Sequence, residues 1–169
     1  MLYGHGILDV PGASNTPQYI RWMSMLQRCY DEGALSRDPS YRGVTVCDEW
    51  LTFSNFKAWM DTKDWEGKCL DKDLKSGSVY SPETCLFISE GLNRYWVMKH
   101  NGCSWEKDRK KWRVRPKLPG GGGHIHLGRY DTEEEARQVY EAYKLHGLGY
   151  FLGEESEEVN QILRELTCH

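Results

Sequence analysis

Histidine is missing from the whole stretch between His5 and His100. That absence removes the imidazole, the usual base and metal ligand at neutral pH, from most of the N-terminal half. The six cysteines are Cys29, Cys47, Cys69, Cys85, Cys103 and Cys168, and no two of them stand in a C-x-x-C spacing. A zinc knuckle is thereby excluded. Most of these thiols sit among apolar neighbours and read as small core hydrophobes. The alternative is a zinc site assembled from Cys29, Cys47, Cys69 and Cys85. No apolar run approaches the roughly 18 residues that span a bilayer, so no membrane partner is expected. The opening MLYGHGILDV lacks a basic region followed by an apolar one, which argues against a secretory signal. A cytoplasmic location is the resulting expectation.

What is present is aromatic and unevenly charged. Seven Trp and ten Tyr supply enough large apolar surface for a folded core. The net charge of −3 hides a segregation. Residues 1–93 carry nine Lys/Arg against thirteen Asp/Glu, residues 94–130 ten against two, and residues 131–169 three against ten. A basic block inside an acidic chain is the footprint of a polyanionic partner. The plainer alternative is a solvated charged face.

The basic block coincides with the clearest pattern in the chain. In KWRVRPK, Trp112 and Val114 fall on one side of a strand, so Arg113, Arg115 and Lys117 fall on the other. Ile125 and Leu127 repeat the alternation one strand later and leave His124 and His126 outward. Thr132 and Glu135 form a capping box, and Ala136, Val139, Tyr140 and Tyr143 then share one helix face. Gly147 follows as an expected C-terminal cap. Gly120–Gly123 reads as a hairpin loop rather than a phosphate cradle, because it feeds a strand and not a helix.

The residues Gly102–Trp105, Lys111–Arg115, His126–Gly128, Tyr130-Asp131-Thr132, Glu134-Glu135-Ala136 and Tyr140 resemble the AP2/ERF DNA-binding domain. The resemblance covers about a quarter of the chain. It implies a three-stranded antiparallel sheet packed on one helix and laid in the major groove of double-stranded DNA. The family's DNA-facing positions fall on Ser104, Arg113, Arg115, Lys117, His124 and His126, and Lys111 joins them as a further basic strand residue. Pro116 departs from the family's apolar sheet residue and is expected to shorten or bulge its strand.

Before that block the chain reads as follows. Residues 1–15 form a polar, loosely held arm. Thr16-Pro17 opens a helix whose stripe is Tyr19, Trp22, Met23 and Leu26. Residues 31–42 are a polar loop, Tyr41–Cys47 a turn and short strand with Val44 and Val46 on one side, and Ser54–Asp61 a second helix. Leu70–Leu74 and Thr84–Ile88 read as strands around a turn at Ser76–Ser78. A helix follows from Ser89 or Glu90 through Trp96, with 94–101 as its end and a linker. Glu154–Cys168 is an acidic helix with Val159, Ile162, Leu163 and Leu166 as its stripe.

WMSMLQRCY, YRGVTVCDEWLTFSNFKAWM, CLDKDL, YSPETCLFIS and Asn93 resemble phage-borne HNH-type homing endonucleases that carry an AP2 domain behind the nuclease. The resemblance implies a ββα-metal unit with catalytic positions at Asp71, Lys72 and Asn93. Asp71, Asp73 and Asn93 would hold Mg²⁺ or another divalent cation through hard ligands. The departure is Lys72, which stands where the family has its base histidine. A lysine with an ordinary pKa near 10.4 is protonated at pH 7, so Lys72 is expected to contact phosphate. The structural alternative makes Asp71-Lys72-Asp73 an exposed charged turn.

The expectation is thus an α+β protein: a polar arm over 1–15, an HNH-like ββα domain over 16–99, an AP2-like domain over 100–147 and an acidic helix over 148–169. Its expected function is sequence-specific DNA binding, in a metal-dependent endonuclease or in a regulator that does not cut. Host cytoplasm is the location if the chain is phage-encoded, and a homodimer is compatible with either reading.

Overall fold

The computed structural model describes residues 1–96 and 102–168; the expected linker residues 97–101 lie outside it. The chain divides into two compact units, Met1–Phe87 and Ile88–His169. The described residues are mixed α and β, with six α-helices and three small sheets.

In the first unit Thr16 caps α1 (Pro17–Tyr30) by accepting the Tyr19 amide at 3.2 Å, with Pro17 in the first turn as expected. The segment read as a polar loop after it contains α2 (Glu32–Arg37), capped by the Asp31 carboxylate on the Ala34 amide at 2.8 Å. Strand β1 (Thr45–Val46) buries Val44 and Val46 and leaves Thr45 exposed. It pairs in parallel with β3 (Val79–Tyr80), a contact that nothing in the local sequence announces. Helix α3 (Phe53–Met60) buries Phe53, Phe56 and Met60. Strand β2 (Cys69–Asp71) pairs with β4 (Leu86–Ile88), where the chain leaves the first unit. The core is built from rings: Trp50 lies 5.1 Å from Phe56 and 4.5 Å from Trp59, and Trp22 lies 5.4 Å from Phe53.

The N-terminal fifteen residues are not a loose arm. Ile7 N–H donates to Leu51 at 2.8 Å, Phe53 N–H donates back to Ile7 at 3.0 Å, and Asp9 accepts the Ser54 amide at 2.9 Å. His5 stacks on Tyr30 at 3.9 Å. Gly6 permits this approach, because a Cβ there would collide with Leu26 and meet Trp22 at 3.0 Å.

The second unit begins with α4 (Glu90–Trp96), which the expected ββα grouping had placed with the N-terminal domain. Strands β5 (Cys103–Glu106), β6 (Lys111–Val114) and β7 (Gly128–Tyr130) form a three-stranded antiparallel sheet. Helix α5 (Glu133–Gly147) carries the expected capping box: Glu135 N–H donates to Thr132 Oγ1 at 3.2 Å, and Thr132 N–H donates to Glu135 at 3.3 Å. Its Ala136 is fully buried, as is Val114 of the sheet, and Cys103 Sγ lies 3.3 Å from the Ala136 carbonyl. The helix therefore covers the Cys103–Trp112–Val114 side of the sheet. Gly147 does not serve as a left-handed cap, since its φ is −66° and the chain runs on into a 3-10 turn at Leu148–Phe151. It is needed for proximity: a Cβ there would strike the Tyr95 hydroxyl and meet Pro119 at 3.1 Å. Helix α6 (Glu157–Thr167) buries Val159 and Leu163 as its stripe requires. The Glu155 carboxylate before it accepts the Ser89 amide at 3.1 Å.

Gly102 locks the sheet to α5. A Cβ on it would run into the Tyr140 ring, and its carbonyl accepts the Arg115 amide at 2.6 Å. Gly102→Ala therefore overpacks the sheet–helix seam and is expected to destabilise the protein by about 1–3 kcal/mol, read as a lowered thermal midpoint. An unchanged midpoint would show that the seam yields without cost.

Candidate functional site

The side of the sheet away from α5 is organised across all three strands. Ser104 pairs with Arg113, and Arg113 with Arg129. Directly opposed residues in antiparallel strands share a face, so the three form one row. The next row sets Glu106 against Lys111. Glu106 Oε1 accepts from Arg113 Nη1 at 3.1 Å, and Oε2 accepts from Arg129 Nε at 2.5 Å. Arg113 Nη2 also donates to Ser104 Oγ at 3.3 Å. Arg129 Nη1 lies 3.1 Å from His126 Nε2. Lys111 pairs with Asp131. One carboxylate thus holds two guanidinium groups side by side. The arginines in turn hold the Glu106 carboxyl below its usual range, chiefly through the Arg129 hydrogen bond.

Arg115 is exposed just beyond the end of β6. Arg129 was not singled out by the sequence reading, although it stands in β7 at the position paired with Arg113. The β5–β6 turn adds the exposed Lys107, Arg109 and Lys110, which were likewise passed over.

Lys117 and His124 take a different place. Pro116 is buried and keeps the inward alternation of Trp112 and Val114, and its carbonyl accepts the Ile125 amide at 3.0 Å. Having no N–H, it leaves the ladder beyond Val114 irregular. The strand expected over 124–127 is accordingly displaced to 128–130, and Ile125 is exposed rather than inward. Lys117 and His124 meet as an isolated bridge. Together with Pro116, Tyr95 and the α5 residues Tyr140, Tyr143 and Lys144 they line a small cavity.

In the first unit the Asp71-Lys72-Asp73 stretch is not an exposed turn, because Asp71 is 4% and Lys72 6% exposed. Asp71 Oδ2 accepts the Leu74 amide at 2.8 Å. Burial pushes its carboxyl up to about 6, against the lowering effect of that hydrogen bond. Lys72 Nζ lies 2.6 Å from Asp73 Oδ1 and 5.6 Å from the ring centres of both Tyr41 and Tyr80. As arranged, this pair does not fit a divalent cation: one acid caps a turn, and the other already neutralises a buried amine. Asn93 belongs to α4 in the second unit, where its amide donates to Ser89.

The four cysteines of the zinc alternative are thiols without a common centre; no three His, Cys, Asp or Glu among the described residues are placed to share a metal. Burial raises Cys29 to about 11 and Cys85 to about 12, as expected of core thiols. No helix among the described residues is long and apolar enough to cross a membrane. Comparison with known protein families, with curated proteins and with solved structures finds no match to this chain.

Proposed function

We propose that the protein binds double-stranded DNA sequence-specifically through the uncovered side of the β5–β6–β7 sheet. The observation that carries this reading is the pair Arg113 and Arg129, set side by side on Glu106, with Arg115 exposed just past the end of β6. Paired guanidiniums on a twisted antiparallel ribbon suit the major groove, where an Arg fork matches the O6 and N7 acceptors of guanine. The resemblance of this segment to AP2/ERF domains points the same way. Arg115 and the exposed cations of the β5–β6 turn would hold phosphates and set the register.

Selection from a randomised duplex pool, followed by titration of the recovered sequence, tests the reading. With about four phosphate contacts, log K should fall against log salt with a slope of roughly −3 to −4. Failure to enrich any sequence, together with salt-independent binding, overturns it.

Cleavage is the second reading, and it rests on the HNH-like resemblance and on the perturbed acid Asp71. It requires Asp73 to release Lys72 before Mg²⁺ could bind at Asp71. The binding-only reading is favoured because that release leaves the buried Lys72 amine without its carboxylate. Incubating the protein with its flanking DNA and Mg²⁺ or Mn²⁺ separates the two: metal-dependent nicking that Asp71→Ala abolishes establishes the nuclease.

A further inference from the structure

Lys117 and His124 form an isolated bridge beyond the end of β6 and line a cavity with residues of α5. The cavity they line measures about 130 Å³ and is otherwise walled by Tyr95, Pro116, Tyr140, Tyr143 and Lys144. Among the described residues its lining is one-sided in chemistry: three phenol rings and a proline ring, two amines and an imidazole, and no carboxylate. Lys144 Nζ is held over the Tyr95 ring at 5.5 Å and donates to the Trp96 carbonyl at 3.0 Å. Burial depresses its basicity. Tyr95 spends its own hydroxyl on the Lys144 carbonyl at 3.1 Å, which fixes the ring as a wall.

Flat aromatic walls take a planar ring, and cations at the mouth take a negative charge. The volume decides how much enters. Pockets for drug-sized ligands measure roughly 300–1,000 Å³, so this one has room for a single ring system and not for a whole nucleotide. The ring must therefore enter while the anionic group stays outside, near Lys117 and His124, both of which are exposed. Lys117 lies two residues along the chain from Arg115, so the mouth follows in sequence on the end of β6.

We propose that this cavity is a nucleotide site: it takes one unpaired nucleobase against the tyrosine rings, with the nucleotide's phosphate held by Lys117 and His124. The site deepens the DNA-binding reading and rests on it where the nucleotide belongs to a duplex. A free nucleoside monophosphate offers the same chemistry without a duplex.

The experiment compares a perfectly paired duplex of the selected sequence with the same duplex carrying one unpaired base at successive positions. Labelled-DNA anisotropy is the readout, and free dAMP and inorganic phosphate are tested as competitors. At one position the unpaired base should tighten binding by about tenfold, within the range set by stacking one base on an aromatic side chain. Tyr143→Leu keeps an apolar side chain on α5 and should abolish that gain while leaving the paired duplex unchanged; Tyr143→Phe should retain it. Millimolar dAMP should compete for the gain, and phosphate alone should not. Equal affinity for paired and unpaired duplexes at every position overturns the site, as does a gain that survives Tyr143→Leu or is removed equally by inorganic phosphate. If no DNA of either kind binds, the DNA-binding reading has failed instead, and calorimetric titration with dAMP then decides the cavity alone: Tyr143-dependent binding supports it, and no binding overturns it.

Discussion

Arg113→Ala is expected to lower affinity for the selected duplex by about 5- to 150-fold, the span of 1–3 kcal/mol that a bidentate arginine contributes at a base edge. Arg113 occupies the middle strand, between Ser104 on one side and Arg129 on the other. Its guanidinium is tied by one terminal nitrogen to Glu106 and by the other to Ser104. Removing it takes away one fork and also leaves Glu106 with Arg129 alone in that row. Arg113→Lys should recover little, because an amine on a flexible stem cannot reproduce a planar fork. Titration against selected and scrambled duplexes checks the assignment. A base reader loses affinity mainly for the selected sequence, whereas an equal loss on both would make Arg113 a backbone contact. Arg115→Ala, at the exposed neighbour, should weaken both duplexes alike and reduce the salt slope by about 1.

Asp71→Asn should make the protein more stable at pH 7.5 by up to about 3 kcal/mol, the free energy that separates an ordinary aspartate near 3.8 from one pushed up to about 6. An acid whose folded pKa is raised holds its proton more tightly in the folded state. Its contribution to stability is complete below pH 3.8 and is lost as pH rises through about 6. At pH 7.5 ionised Asp71 therefore works against folding, and asparagine removes that charge while still accepting the Leu74 amide. The gain should be smaller at pH 4.5 and vanish only below about pH 3.8, where Asp71 is protonated in the folded and the unfolded chain alike. Urea melts at the two pH values check this. A loss of stability at pH 7.5 would mean that the attraction of Asp71 for Lys72 outweighs its desolvation. If the nuclease reading holds, the same substitution trades cleavage for stability.

The helix α5 and the arginine side of the sheet were legible because each depends on spacing alone: a capping box, a stripe at helical intervals and a strict two-residue alternation. The pairing of Arg113 with Arg129 was not, because it depends on register between strands separated by a loop of irregular length. Pro116 illustrates the limit of pattern reading. It holds an apolar inward position as the alternation requires, yet its missing donor disorganises the ladder and redirects Lys117 and His124 toward α5. The parallel β1–β3 pair has two residues on each side and leaves no periodic trace. The hold on residues 1–15 is made by backbone groups, which composition does not report. At Asp71 the sequence suggested either a metal ligand or a solvated turn; the burial that distinguishes it from the latter arises from tertiary packing around β2.

Glu106 has a consequence for how the protein would tell one sequence from another. An arginine carries about 2 kcal/mol of rotameric freedom that is lost on engaging a partner. On the proposed reading the carboxylate confines two such side chains in advance of any DNA, so part of that loss would belong to folding and not to association. It also cancels one positive charge where every phosphate would otherwise be welcome. A cationic surface with an acid at its centre gives up indiscriminate attraction in exchange for a rigid pair of donors, and rigidity of that kind penalises the wrong base more than it rewards the right one.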